Sequence, residues 1–327
     1  MGSDQFDTSS KGGSMARFLL SRLASSSVVI LVVALIVFGL TTFSGGDPAT
    51  IYAGDDASPE RLAQIREQMG LNRPFYVQFL LWLQQIFSGN LGISLFTGRP
   101  VLTLVAQRLE PTVVIALVTI VISVGCAVPL GAMAALRPHG LIDRFLSALS
   151  SIAFALPVFI AAYILIYIFS IQLRWFPVQG YTPLAEGPLN TLRSVLLPCI
   201  SLALIYIGLL ARTTRASMVV VLQQDYIRAA RARGARTGRL IVRHVLRNVA
   251  NSIITVIGLG IASMISGFTL VETVFALPGL GRLTVDAVLN RDFPVIQGLI
   301  LIFAAAKIVI NLTIDISYRI VDPRVSV

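Results

Sequence analysis

Apolar residues gather in six runs, each long enough for the roughly 20-residue helix that crosses a bilayer core. They cover about 18–43, 111–136, 145–171, 196–218, 249–275 and 294–318. The pattern predicts an all-α polytopic membrane protein with six transmembrane helices, and six spans place both termini on one face. The polar segment after the first run carries helix signals of its own. Ser58-Pro59-Glu60 opens a short polar helix over 60–69, with Ser58 as N-cap, Pro59 in the first turn and Gly70 at its end. Residues 74–87 set Phe75, Phe79, Trp82 and Phe87 among aliphatics, too short a run to span, and Ser88-Gly89-Asn90 ends it. This reads as an interfacial helix lying on the membrane or on other helices. Residues 172–195, with Trp175, Pro177, Gly180, Pro183 and Pro188, read as an irregular outer loop. No tandem repeat or low-complexity tract is visible.

Composition supports this class. Of 327 residues, 55% are hydrophobic and 13% charged, with mean hydropathy +0.81; ordinary soluble domains carry about 25% charged residues. A net charge of +10 raises the question of nucleic acid, but the placement of the charge answers it. Segments 44–110, 172–195 and 276–293 hold nine arginines against nine acidic residues, whereas residues 212–247 hold nine arginines and one aspartate. Short Arg-rich loops stay cytoplasmic. The basic loop is therefore placed inside, with both termini and Arg17, Arg137, Arg144, Arg319 and Arg324. The first run is too long for a signal-peptide core and lacks a small-residue cleavage site, so it reads as a retained span. Residues 1–14, rich in Gly and Ser and followed by Met15, read as an extension. Cys126 and Cys199 lie far apart in or beside apolar runs, without metal-ligand spacing, and read as small packing residues.

Chemistry-bearing patterns are sparse. A phosphate-binding Gly-x-x-x-x-Gly-Lys-Ser/Thr loop needs a lysine in that context, and Lys11 and Lys307, the two lysines of the chain, are not in it. His139 and His244 are the two histidines and have no metal spacing or triad partner. No Gly-x-Ser-x-Gly elbow and no paired intramembrane carboxylates occur. The expectation is a protein that is not an enzyme.

The basic loop is ordered rather than a random charge run. Residues 223–232 favour helix, with Tyr226 and Ile227 near the start and Ala229, Ala230 and Ala232 keeping part of the surface thin. Gly234 permits a reversal that a residue with a Cβ resists. Residues 239–248 read as a second amphipathic helix, with Arg239, Arg243 and Arg247 on one face and Leu240, Ile241, Val245 and Leu246 supplying apolar positions. Two readings stand level on physics alone. The pair seats in a groove of a cytoplasmic partner, or it is a solvated loop drawn to anionic headgroups.

The run Asp225-Tyr226-Ile227-Arg228-Ala229-Ala230-Arg231-Ala232-Arg233-Gly234, followed by Arg243-His244-Val245-Leu246-Arg247-Asn248, resembles the cytoplasmic signature of ATP-binding-cassette importer permeases. Within these, the chain is similar to the dipeptide/oligopeptide/nickel family, of the subunit type with a large outer segment after the first span. Collinear matches run along nearly the whole chain from Arg17. They include Gly46-Asp47-Pro48, Gly70-Leu71-Asn72-Arg73-Pro74, Gly89-Asn90-Leu91-Gly92, Thr97-Gly98-Arg99-Pro100-Val101, Glu272-Thr273-Val274-Phe275, Pro278-Gly279-Leu280-Gly281, Phe293-Pro294-Val295-Ile296-Gln297-Gly298 and Asp322-Pro323-Arg324. The broader signature often begins Glu-Ala-Ala. Here Arg228 precedes Ala229-Ala230, which removes any role for a glutamate salt bridge at that place.

The resemblance implies coupling helices at about 223–248 that insert into a cleft of a cytoplasmic ATPase. Ala229, Ala230 and Gly234 would set the close approach, and Tyr226, Arg228 and Arg233 belong to the same docking set. It implies a division into a cytoplasmic extension (1–16), a first span with outer insert (17–110), a five-helix permease core (111–320) and a cytoplasmic tail (321–327). It further implies a bacterial cytoplasmic membrane, a homologous second permease subunit, two ATP-binding subunits and an extracytoplasmic substrate-binding protein. The chain itself would bind no cofactor, with ATP and Mg on the partner ATPases. Transport would proceed by alternating access, with short peptides as substrate; nickel chelates or another small polar solute form the alternative. A secondary transporter or a membrane scaffold are the rival classes.

Polar groups inside the runs are the remaining candidates. Lys307, Asn311 and Asp315 recur every four residues and share one helix face. Such groups usually face protein or water rather than lipid, either as a translocation path for a zwitterionic substrate or as an interhelix lock. The resemblance favours the lock at Asn311 and Asp315. Glu272, at the outer end of the fifth run, is a candidate for gating or partner contact. Pro129, Pro157 and Pro198 each remove an intrahelical hydrogen bond and can kink their spans.

Overall fold

A computed structural model of the protein describes residues 9–43, 48–53, 58–68 and 70–321. Residues 1–8 of the extension, Gly46, Asp47, Met69 and the tail 322–327 with Asp322-Pro323-Arg324 lie outside the described residues. Among the described residues, the chain is helical apart from turns, loops and one bridged pair, Ile93 with Pro100. It divides into two compact units, one of Met1–Leu102 and Asn290–Leu312, the other of Thr103–Leu289 and Thr313–Val327.

The first unit begins with α1 (Ser9–Phe43), whose apolar part is Ala24–Phe43, followed by α2 (Pro48–Ala53), α3 (Pro59–Gln68) and α4 (Phe75–Phe87). Ser58 Oγ accepts from the Arg61 amide at 3.3 Å, the expected N-cap of α3. Gly70 closes that helix at φ +68°. Helix α4 is apolar, has no fully buried residue, and turns Phe75, Phe79 and Trp82 onto Phe38 of α1 with ring centroids 5.1–5.5 Å apart. Its amphipathic pattern thus places it against another helix, as the interfacial reading expects. Asp292, 4% exposed, accepts from Ser94 Oγ and from the Leu95 amide, tying the 90–100 turn to the start of the last helix.

The second unit is built from α5 (Val101–Leu136), α6 (Leu141–Ala155), α7 (Val158–Leu165, continued as a π-helical stretch Ile166–Gln172), α8 (Pro188–Leu222), α9 (Asp225–Ala232), α10 (Thr237–Leu240, then a π-helical turn Ile241–Val245), α11 (Leu246–Val274) and α12 (Leu280–Leu289). Helix α13 (Phe293–Val321) begins in the first unit and ends in the second, and the first two residues of α5 belong to the first unit. Helix α8 is the hub. In its most apolar stretch 61% of residues are buried, against 17–22% in α1, α5, α11 and α13. Small residues make this possible: a Cβ on Gly131 of α5 would meet the Ala211 carbonyl of α8 at 2.6 Å, and one on Gly208 of α8 would meet Ser150 Cα of α6 at 3.2 Å.

The six expected spans are present as five long helices and one bent pair, with three corrections. The third run is not one helix. Leu141–Ala155 and Val158–Gln172 meet at 106°, because Pro157 offers no N–H and holds Leu156 extended at φ −91°, ψ 115°. Pro111, Pro129 and Pro198 are carried inside continuous helices. The loop expected over 172–195 ends at Gly187, where Pro188 starts α8 at the position that tolerates proline. The second basic helix is not separate, since Thr237–Leu240 and Ile241–Val245 run directly into α11.

The packing makes a contrast that unfolding can read. Gly131→Leu must push α5 from α8 and is expected to cost about 1–3 kcal/mol, a lower Tm in detergent. Gly125→Ala, on the same helix with nothing within 4 Å of its added carbon, is expected to leave Tm unchanged or raise it.

Candidate functional site

Helix α8 ends at Leu222, and Gln224 turns the chain into α9 from an extended conformation at ψ 146°. Helix α9 is strongly amphipathic and short, so its apolar anchor decides how it sits. Ile227 is that anchor. It is fully buried in one cluster with Leu146 of α6, Met218 of α8, Leu240 of α10, and Val245. A second tie comes from Asn248 of α11, whose side-chain amide donates to the Tyr226 hydroxyl oxygen at 2.8 Å. The outward surface carries Tyr226, Arg228, Ala229, Arg231, Ala232 and Arg233, all exposed, whereas Ala230 is half-buried against the Ile227 cluster. Tyr226, Ala229 and Arg233 share a face by helical spacing. Arg228 pairs with Asp225 at 2.8 Å, both exposed, a contact of little stabilising value in water.

Gly234 ends the element at φ +82°, and its amide donates to the Arg231 carbonyl at 2.9 Å while Ala235 N donates to Ala230 O. No atom lies within 4 Å of a Cβ built there, so the requirement for glycine is conformational rather than steric. The expected reversal and the short first helix are both present. Chemically, this surface offers arginine donors around exposed small side chains. No group of three metal-binding side chains occurs among the described residues.

The other candidates lie on α11 and α13. Lys307 and Asn311 are exposed on α13 within the first unit, and Asp315 is half-buried in the second. Glu272 is fully buried near the end of α11. Its Oε1 accepts from Thr112 Oγ1 at 2.7 Å, its Oε2 accepts from the Arg282 amide at 3.0 Å, and Thr112 Oγ1 accepts in turn from the Leu280 amide at 2.8 Å. A Cβ on Gly279 would fall 2.1 Å from the carboxylate. The Pro278-Gly279-Leu280-Gly281 turn is therefore folded over this side chain.

Sequence reasoning missed two polar joints in the second unit. Glu110 accepts from the Tyr181 hydroxyl at 2.7 Å and from the Leu184 amide at 2.8 Å. Burial, and then the Glu110 carboxylate, push the Tyr181 phenol above its ordinary value, so it stays protonated as the donor. Asp143, 4% exposed in the first turn of α6, is ion-paired with Arg215 of α8. The only sequence trace of that pair is a charge of each sign near the ends of two runs.

Two family descriptions match this chain: "Binding-protein-dependent transport system inner membrane component" over residues 127–327, and the N-terminal part of such membrane components over residues 15–116. The chain belongs to this family. It is thus a multi-pass permease of the ATP-binding-cassette importer class. It is 44% identical over 311 residues to a probable peptide ABC transporter permease of Sinorhizobium fredii, covering 95% of this chain and 99% of that one. It is 38% identical over 314 residues to the oligopeptide transport system permease protein AppB of Bacillus subtilis, again covering 95% and 99%. Inward-facing structures of the MetNI methionine ABC transporter share the fold, with TM-score 0.56, 16% identity and coverage of 67% of this permease and 97% of the matched chain.

The Glu272 joint yields its own test. Thr112→Val leaves the Leu280 amide without its acceptor and Glu272 without one donor. This should cost about 1–3 kcal/mol for each buried group left unpaired, seen as a lower Tm with unchanged membrane insertion.

Proposed function

We propose that this permease forms half of a peptide-conducting pore, with a homologous second subunit completing it and two ATP-binding subunits driving it from the cytoplasm. The observation that carries the reading is the construction of α9: Ile227 buried beneath with Ala230 packed beside it, Tyr226 tied at the side, and a thin surface at the exposed Ala229 and Ala232 among arginines, closed by Gly234. A loop held only by lipid attraction needs charge, but has no need of a buried anchor or a left-handed terminating residue. A fixed small-residue face fits a groove in another protein. The termini and α9 then lie in the cytoplasm, consistent with the arginine bias. An extracytoplasmic binding protein delivers substrate to the opposite face, and closure of the ATPases moves α9 so that the spans alternate between outward and inward access. ATP and Mg reside on the partner subunits.

Short peptides are the favoured substrate, because the relatives named above are peptide and oligopeptide permeases. Nickel chelates or another small polar solute form the alternative. Lys307 and Asn311, exposed on α13, are proposed to line the path or lock it to a partner, with Asp315 on the same helical stripe. Glu272 acts on the outer gate through the turn it holds.

Replacing Gly234 by proline imposes φ near −65° where the chain needs +82° and removes the donor to Arg231. Uptake and co-purification of the ATPase subunits should both be lost. Full assembly and uptake in this variant would overturn the docking role of α9. Lys307→Met should keep assembly but shift the range of peptides accepted in a competition uptake assay. An unchanged range would assign Lys307 to packing.

A further inference from the structure

Three buried carboxylates occur among the described residues, and Asp143 is the one that joins two long helices through an ion pair. Asp143 lies in the first turn of α6. Its Oδ2 accepts from Arg215 Nη2 at 2.7 Å and from the His139 amide at 2.8 Å, and its Oδ1 is in contact with Arg215 Nε. The guanidinium thus donates one hydrogen bond to the carboxylate and sets a second nitrogen against its other oxygen, so the pair is held at two points. His139 holds a left-handed backbone at φ +63°, and Gly140 stands where a Cβ would meet the Arg137 carbonyl at 2.9 Å. The α5–α6 turn is therefore shaped to present an amide to the ion pair.

Seven residues along α6, Ser150 Oγ donates to the Gly208 carbonyl of α8 at 3.1 Å, beside the close Gly208 contact. Helix α6 is thus bolted to α8 at two levels. Arg215 lies about three helical turns before α9, and Leu146 of α6 shares the buried cluster of Ile227. Beyond Ala155 the chain bends by 106° into α7.

We infer that the Asp143–Arg215 pair is a force-transmitting clamp that makes α6 follow α8 when α9 is moved. The inference rests on the reading of α9 as the ATPase-docking element. Stability alone does not call for an ion pair here, since burying the Asp143 carboxylate costs desolvation that an apolar side chain avoids, while Arg215 stays partly exposed. What the pair adds is a charged tie between two helices, at the end of the bundle where α9 applies load. Without it, α8 can swing while α6 and the bent α7 lag behind. These are positioning residues, to which no substrate contact is assigned above.

The test uses the whole transporter in proteoliposomes, with permease pair, ATPases and binding protein present, and reads peptide uptake and ATP hydrolysis together. In Asp143→Asn, which keeps shape and an acceptor for the His139 amide, uptake per ATP hydrolysed should fall about 3- to 30-fold while hydrolysis and co-purification persist. Arg215→Lys keeps the charge but not the fork, and should show a smaller loss in the same ratio. A purely structural pair would lower assembly or Tm and leave that ratio untouched. An unchanged ratio in assembled Asp143→Asn and Arg215→Lys overturns the clamp alone. Should Asp143→Asn fail to assemble, Arg215→Lys decides by the same ratio. Wild-type uptake independent of ATP overturns the driving mechanism and the clamp together.

Discussion

Close approach of α8 to its neighbours is the constraint on which the second unit depends. Between helices in lipid the hydrophobic effect gives little drive, because acyl chains solvate leucine as well as another helix does. Association then rests on van der Waals contact and hydrogen bonds, which need backbones near each other. Gly131 facing the Ala211 carbonyl and Gly208 facing Ser150 supply that nearness. The same approach lets Ser150 reach a carbonyl of α8. It also brings the start of α6 within reach of Arg215. The inner cluster of α6, α8 and α10 side chains around Ile227 follows from this, and with it the seating of α9.

Buried charge is handled by one rule throughout the described residues. Asp143, Glu272 and Asp292 each sit at or near a helix end, and each accepts from the backbone amide of an adjoining turn: His139, Arg282 and Leu95 respectively. Each also holds one side chain of another segment, Arg215, Thr112 or Ser94. A carboxylate has four lone-pair sites and no donor of its own. It can therefore gather several donors from a turn that no regular ladder serves. In this protein acidic residues near the membrane pin loops, and the arginines left over form the exposed surface of α9.

Most of the long elements were legible because apolar run length is a strong signal in a membrane protein. The α3 cap at Ser58, the α4 helix and the Gly234 reversal were also legible, since each depends on local chemistry. What failed was non-local or cooperative. The break at Pro157 could not be separated in advance from Pro129 and Pro198, which also fall inside predicted spans; only packing decides which is absorbed within a continuous helix. The merger of the second basic helix into α11 escaped because Leu240, Ile241, Val245 and Leu246 suit an independent amphipathic helix equally well. Asp143–Arg215 spans 72 positions in the chain, and no spacing rule reaches that far. For Glu272, the signal was present but unread: two glycines shortly after an acidic residue mark a turn folding over its side chain.

The arginine at 228 bears on how α9 recognises anything at all. An exposed Asp225–Arg228 pair contributes little in water and is screened by salt, so it cannot supply most of the specificity of a docked surface. The alanines can. Their small side chains let a partner approach the helix axis, and each apolar contact so gained is insensitive to ionic strength. In the proposed docking, arginines around the rim would steer encounter and set register, the division of labour expected where a shape-complementary centre is ringed by charge. A helix built in this way is a better transmitter of movement than one held by charge alone. Ile227 and the Tyr226–Asn248 hydrogen bond fix its underside to the same body that carries α6, α8 and α11. On the docking role proposed for α9, displacement of its exposed face would be passed to the bundle instead of being absorbed by a loose loop.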